Sequence, residues 1–146
     1  SALDAISQAE AIVIGPGSLY TSIIPNFLVD GVSDAVNASS AIKVFVCNVA
    51  TQPHETECYD VEMHLNVFQE HSGVVVDYIV VNSNIKDNPE DWKQPAVLPI
   101  WSIDGFNGGF VVDDVLDESM PTRHDPRKLS RAIMQIPSLS VYTFRG

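Results

Sequence analysis

Apolar residues along this chain fall in short blocks separated by glycine, proline and polar punctuation. The blocks 11-AIVIG-15, 43-KVFVCNV-49 and 76-VDYIVVN-82 are nearly continuous apolar runs. That is the pattern of strands buried on both faces of a parallel sheet. Between the blocks the period changes. Residues 2–10 place Ala2, Leu3, Ile6 and Ala9 on one helical face, and residues 61–71 do the same with Val61, Leu65 and Phe68. Shorter helices are expected over 22–29, where Pro25 is tolerable only in a first turn, and over 31–39. Strand, loop and helix therefore alternate from residue 11 to residue 82, which predicts a parallel α/β sheet with right-handed crossovers. Beyond residue 83 the pattern loosens. Residues 84–110 read as loop around a short strand at 97-VLPI-100. A last strand is expected in 109-GFVVDDVL-116. A helix then follows, with Asp125 as its cap, Pro126 at its first position, and Leu129, Ile133 and Ile136 as its apolar stripe.

In such sheets ligands sit beyond the carboxyl ends of the strands. The loops there are 15-GPGSLYTS-22, 48-NVATQPHET-56 and 82-NSNIKDNPEDW-92. In the first, glycines permit close backbone approach, Ser18, Thr21 and Ser22 offer hydroxyls, and the amides opening the next helix are anion donors. A phosphate or carboxylate fits this layout, and so does a plain strand-to-helix turn with hydroxyl caps. The second loop gathers neutral hydrogen-bonding groups suited to a base or sugar. His54 beside Glu55 is a candidate acid–base pair, but a capped turn starting the next helix at Thr56 or Asp60 accounts for it better.

Charge narrows the partners. The 146 residues carry 19 acidic and 8 basic side chains, for a net charge of -11. A chain this acidic repels nucleic acid and anionic membranes, so neither is expected as a partner. Arg123, Arg127, Lys128 and Arg131 crowd into one short stretch. Arg123, just ahead of the capped helix, is the candidate anion grip, with Lys128 and Arg131 on a solvated face. Cys47 and Cys58 show no metal spacing, His64 and His71 have no third ligand nearby, and no HExxH occurs, so no metal site is expected. No apolar stretch reaches the roughly 18 residues of a membrane span, and no signal peptide opens the chain. A cytoplasmic protein is expected. The serine of GPGSLY is not in a GxSxG elbow, so no nucleophile is assigned.

Three stretches together, 10-EAIVIGPGSLYTSIIPNFLV-29, 44-VFVCNVATQPHET-56 and 123-RHDP-126, resemble the bacterial gluconeogenesis-factor branch of the 2-phospho-L-lactate transferase (CofD) superfamily. The resemblance spans nearly the whole chain. It implies a Rossmann-like parallel sheet flanked by helices and a UDP-sugar or related nucleotide as ligand, without a cofactor. It carries over Gly15, Pro16, Gly17, Ser18, Tyr20, Thr21 and Ser22 as one ligand-facing loop. Asn48, Thr51, Gln52, Glu55 and Thr56 form the second, and Arg123, His124 and Asp125 the third motif. Residues 1–146 are then the C-terminal part of one such domain. The chain opens on a helix and lacks a glycine fingerprint, so a βαβ half carrying the family's glycine-rich loop is expected upstream. The implied function is regulatory nucleotide-sugar binding linked to carbon metabolism and cell shape. The alternative is transfer of a phospholactyl group to a deazaflavin, the only reading in which magnesium enters. A homo-oligomer is left open. Three departures stand out. His54 replaces a usual glycine, Cys58 replaces a small or acidic residue, and Pro126 follows RHD where some members carry threonine. Trp92 falls near a family tyrosine that helps hold the ligand.

Overall fold

Each apolar block becomes a strand of one parallel sheet. In the computed structural model, which describes residues 1–85 and 94–140, the strands are β1 (Ala11–Ile14), β2 (Ile42–Val46), β3 (Tyr78–Asn82) and β4 (Gly109–Asp113). They lie side by side in chain order, with Ile14 opposite Phe45, Val46 opposite Val80, and Val80 opposite Val111. This register brings the carboxyl ends of all the strands to one side of the molecule.

Strand alternation sorts the core into two layers. Ile14, Phe45, Cys47, Ile79 and Val81 pack with Leu65 and Phe68 of α4 (Val61–Ser72). Val44, Val46, Val80 and Val111 pack on the other face with Ala132 of α5 (Pro126–Ile133) and Leu139 of the short α6 (Pro137–Ser140). Earlier in the chain lie α1 (Ala2–Gln8), α2 (Ile24–Phe27) and α3 (Val32–Ala38). The result is the expected Rossmann-like α/β layering, with helices covering both faces of a parallel sheet. Buried Lys43 serves this frame, because its ammonium donates to the carbonyls of Ser39 (2.9 Å) and Ala41 (3.1 Å) where α3 ends.

Caps set the helix boundaries as the sequence suggests. The Asp60 carboxylate accepts from Met63 N at 2.8 Å to start α4, so Asp60 rather than Thr56 is the cap. Asp125 accepts from the amides of Arg127 (2.8 Å) and Lys128 (2.9 Å), with Pro126 at the first helical position.

Two expectations change. The apolar run in β1 predicts a strand buried on both faces, yet β1 is an edge strand and Val13 is 45% exposed. Val13 points to the face covered by α5 and α6, and those helices lie over β2 to β4. The strand expected at 97–100 does not form. Pro95 and Pro99 remove two amide donors there. What forms instead is a short antiparallel touch on the loop after β2, with Thr51 N bonded to Pro95 O and Val97 N to Val49 O, both at 2.9 Å.

Candidate functional site

The loop after β1 turns on Gly15, whose φ is +89°. A Cβ there would lie 3.1 Å from Val46 O and 3.2 Å from the Ile23 side chain, so both the angle and the space call for glycine. The Gly15–Pro16 peptide is cis. The chain then enters a wide turn in which the amides of Ser22 (3.0 Å) and Ile23 (2.9 Å) both close onto Ser18 O. The second of these is a five-residue, π-type spacing, often found at functional sites. The amides of Gly17, Ser18, Leu19 and Tyr20 donate to no acceptor among the described residues.

The loop after β2 is pinned from inside. Thr56 is fully buried and its hydroxyl accepts from Gln52 N at 2.9 Å, while buried Thr51 donates to Pro95 O at 3.3 Å. His54 and Cys58 have φ of +64° and +63°, the left-handed region that favours glycine. That conformation accounts for the glycine that the family pattern carries where this chain has His54. Asn48 reaches back, donating from Nδ2 to Gly17 O at 3.0 Å.

The loop after β4 supplies the third group. Asp117 N bonds to Arg123 O and Arg123 N to Met120 O, making a tight turn that returns the chain to the strand ends. His124 Nε2 meets Cys47 O at 3.1 Å. A carbonyl only accepts, so Nε2 carries the proton and Nδ1 is left as an acceptor. Burial pushes the His124 pKa below its ordinary value, outweighing that hydrogen bond, so the ring favours its neutral form. Burial likewise lifts the thiol of Cys47, beneath it, to about 12. Arg123 is exposed and forms no ion pair among the described residues. Lys128, expected on a solvated face, is instead held by Asp114 at 2.8 Å and Glu118 at 3.8 Å.

These loops enclose a hollow of about 420 Å³ lined by residues of all three motifs, Pro16, Gly17, Ser18, Asn48, Gln52, Arg123 and His124 among them. A second hollow of about 340 Å³ shares Gln94, Thr122 and Arg123 with it, so the cleft extends past the arginine. The remaining candidates lie outside the lining. Tyr20 pairs with Tyr59, hydroxyl to hydroxyl at 2.8 Å, and that bond with burial raises its pKa to about 12. Glu55 accepts from Ser18 Oγ at 2.6 Å, and Thr21 Oγ1 donates to the same Ser18 oxygen at 2.6 Å. Gly15 and Ser22 line a separate apolar hollow beside β1, and Asp125 is occupied as a cap. Trp92 and much of the loop after β3 lie outside the described residues. Gln94, Thr122 and Tyr59 escaped sequence reading. Thr122 abuts the RHD motif and could have been found from it, whereas Gln94 and Tyr59 carry no local signal.

Fold and site together define a Rossmann-like α/β domain whose loops converge beyond the carboxyl ends of a parallel sheet. Residues 1–104 match the family described as 2-phospho-L-lactate transferase CofD, and the chain belongs to that family. Among its relatives, the gluconeogenesis factor of Bacillus subtilis is 45% identical over 144 residues, covering 92% of this chain and 45% of the relative. The gluconeogenesis factor of Halalkalibacterium halodurans is 39% identical over 141 residues, covering 91% of this chain and 44% of the relative. A crystal structure of a UPF0052-family protein from Bacillus halodurans superposes with a TM-score of 0.76 at 37% identity, covering 91% of this chain and 45% of that one. The chain thus spans less than half the length of these relatives. Among the described residues no helix is long and apolar enough to cross a membrane.

Proposed function

We propose that this chain contributes most of a nucleotide-sugar site to a regulatory protein of the gluconeogenesis-factor type, acting in the cytoplasm on carbon metabolism and cell shape. The observation that carries the reading is the meeting of three separate loops on one hollow. Gly17 and Ser18 come from the first, Asn48 and Gln52 from the second, and Arg123 and His124 from the third. The division of chemistry suits such a ligand. Amides at 17–20 that meet no acceptor, and an Arg123 that forms no ion pair, both among the described residues, favour a diphosphate. Asn48, Gln52 and the neutral His124 offer uncharged donors and acceptors to a base or sugar. Binding is the function proposed, because it uses these groups directly. Calorimetric titration of the intact protein with UDP-N-acetylglucosamine tests this. Saturable heat supports it, and no heat at millimolar ligand from a folded sample rejects it.

The sheet is proposed to continue past β1. That strand is apolar, open at its edge, and flanked by a hollow of about 360 Å³ lined by Ile12, Val13 and Phe27. Relatives of more than twice the length leave ample chain for another strand, whose loop would fall at the same end of the sheet. Val13→Lys should then be tolerated in this chain alone but destabilise a form as long as those relatives. Equal tolerance in both forms would count against a further strand.

The family's description as 2-phospho-L-lactate transferase supports a second reading, transfer of a phospholactyl group, for which the sequence resemblance implies an activated nucleotide donor and a deazaflavin acceptor. Here Arg123 and the loop amides would stabilise developing charge. Shared fold is a weaker warrant for chemistry than the site itself. Absence of product from donor and deazaflavin precursor would dismiss this reading.

A further inference from the structure

Three side-chain hydrogen bonds fasten the loop after β1 to the loop after β2. Ser18 Oγ donates to Glu55 Oε2 at 2.6 Å, Asn48 Nδ2 donates to Gly17 O at 3.0 Å, and the hydroxyls of Tyr20 and Tyr59 meet at 2.8 Å. The partners stand 37, 31 and 39 residues apart, so each bond closes a long stretch of chain. Ser18 Oγ also accepts from Thr21 Oγ1 and Thr21 N. Its single proton and both lone pairs are therefore spent, and it serves to anchor the loop. Glu55 and Tyr59 do not line the ligand hollow, but Ser18, which Glu55 holds, does, and Tyr59 holds Tyr20 two residues further along the same loop.

A loop beginning Gly-Pro-Gly loses much backbone freedom when it orders around a ligand. Fastening it beforehand removes that loss from the binding step. The carboxylate at position 55 is informative here. In a chain of net charge -11, another negative charge one hydrogen bond from an anion loop works against an anionic ligand. Its use is as a hydrogen-bond acceptor, a role that a neutral amide oxygen also fills.

We propose that Glu55 and Tyr59 are positioning residues. They fix the Gly17–Tyr20 amides for the anionic part of the ligand and raise affinity without touching it. This rests on the nucleotide-sugar reading above, so the experiment has an arm that needs no ligand. In ¹⁵N-labelled intact protein, hydrogen exchange is followed at the Ser22 and Ile23 amides, which close onto Ser18 O, and at Val44 and Val80 in the central strands. Binding of UDP-N-acetylglucosamine is measured in parallel. Glu55→Ala and Tyr59→Phe should each speed exchange at Ser22 and Ile23, leave Val44 and Val80 unchanged, and weaken binding about tenfold, the loss of one hydrogen bond's worth of fixing. Glu55→Gln should restore slow exchange and bind at least as tightly as the parent. Unchanged exchange in Glu55→Ala, or a Gln variant as damaged as Ala in both readouts, overturns the proposal. Tyr59→Phe decides the matter if Glu55→Ala fails to fold. A parent protein that binds no UDP-N-acetylglucosamine overturns the ligand reading, and the exchange arm then reports separately whether the fastening exists.

Discussion

The two ends of the sheet make an instructive contrast. At the amino ends of β3 and β4 lies the more capacious hollow, about 710 Å³, between α4 and residues 103–109. Its floor includes Leu65, Val76 and Ile103, its rim carries Asp77 and Asp104, and no basic residue lines it among the described residues. The hollow at the carboxyl ends is smaller, about 420 Å³, yet it joins three loops and contains Arg123 in an otherwise acidic chain. Size therefore does not mark the site. What supports the proposed site is the convergence of loops that a parallel sheet imposes, together with donors that meet no acceptor among the described residues.

The largest effect on stability in this contrast belongs to Gly15, where the first loop leaves the sheet. Gly15→Ala should cost about 2 kcal/mol in urea unfolding, from left-handed strain and contact with Val46 O. Gly105 at the other end also has positive φ but meets nothing within 4 Å, so its alanine variant should cost less. Equal losses would mean that the carboxyl end is no more tightly specified. Next comes Arg123→Ala, which should weaken UDP-N-acetylglucosamine by about 1.5–3 kcal/mol, as for a lost charged hydrogen bond. Asp104→Asn in the other hollow should leave affinity unchanged. A matching loss there would erase the distinction between the two ends.

A pH effect sharpens the account of the frame behind the second loop. His64 is buried, with Nδ1 donating to Asp60 O at 2.7 Å and Nε2 sealed without a partner among the described residues. Burial lowers its pKa below the ordinary 6.5, outweighing the attraction of Asp60. As pH falls through 6.5 the unfolded chain takes up the proton first, so stability is full above that pH and declines as pH drops toward the folded-state value. The urea midpoint should fall between pH 7.5 and 5, and His64→Leu should flatten the fall. An equally steep profile in the variant would assign the effect elsewhere, with His124, shifted in the same direction, the first alternative. The smallest effect is expected at His54 and Cys58. Glycine at either position relieves left-handed strain of about 1 kcal/mol but adds freedom to the unfolded chain, so each variant should gain less than about 1 kcal/mol. A clear loss of stability would show that these side chains hold the loop.

The hydrophobic pattern made the central architecture legible. Runs such as 76-VDYIVVN-82 leave few alternatives to a buried parallel strand, and Asp125-Pro126 marks a helix start chemically. β1 carried the same apolar signal and became an edge, because a single strand's composition says nothing about what covers it. The run 97-VLPI-100 looked like a strand, but Pro95 before it and Pro99 within it limit it to a brief touch on Val49 and Thr51. At the site, the three loops could be named from sequence, since strand ends and glycines are local. Which side chains face the hollow was not legible. Ser18 pairs with Glu55 and Tyr20 with Tyr59 across dozens of residues, and no local pattern encodes such a choice. His54 shows the converse. The family's glycine had a backbone reason at that position, which only the φ angle revealed.

The central claim is that the carboxyl-end hollow is the ligand site. It is tested most directly by titrating ¹⁵N-labelled intact protein with UDP-N-acetylglucosamine and mapping the amide shifts. Saturable shifts are expected at Gly17, Ser18, Asn48, Gln52, Arg123 and His124, with Asn66, Asp104 and Asn107 unmoved. Shifts confined to the amino-end hollow, or none at millimolar ligand, would contradict it.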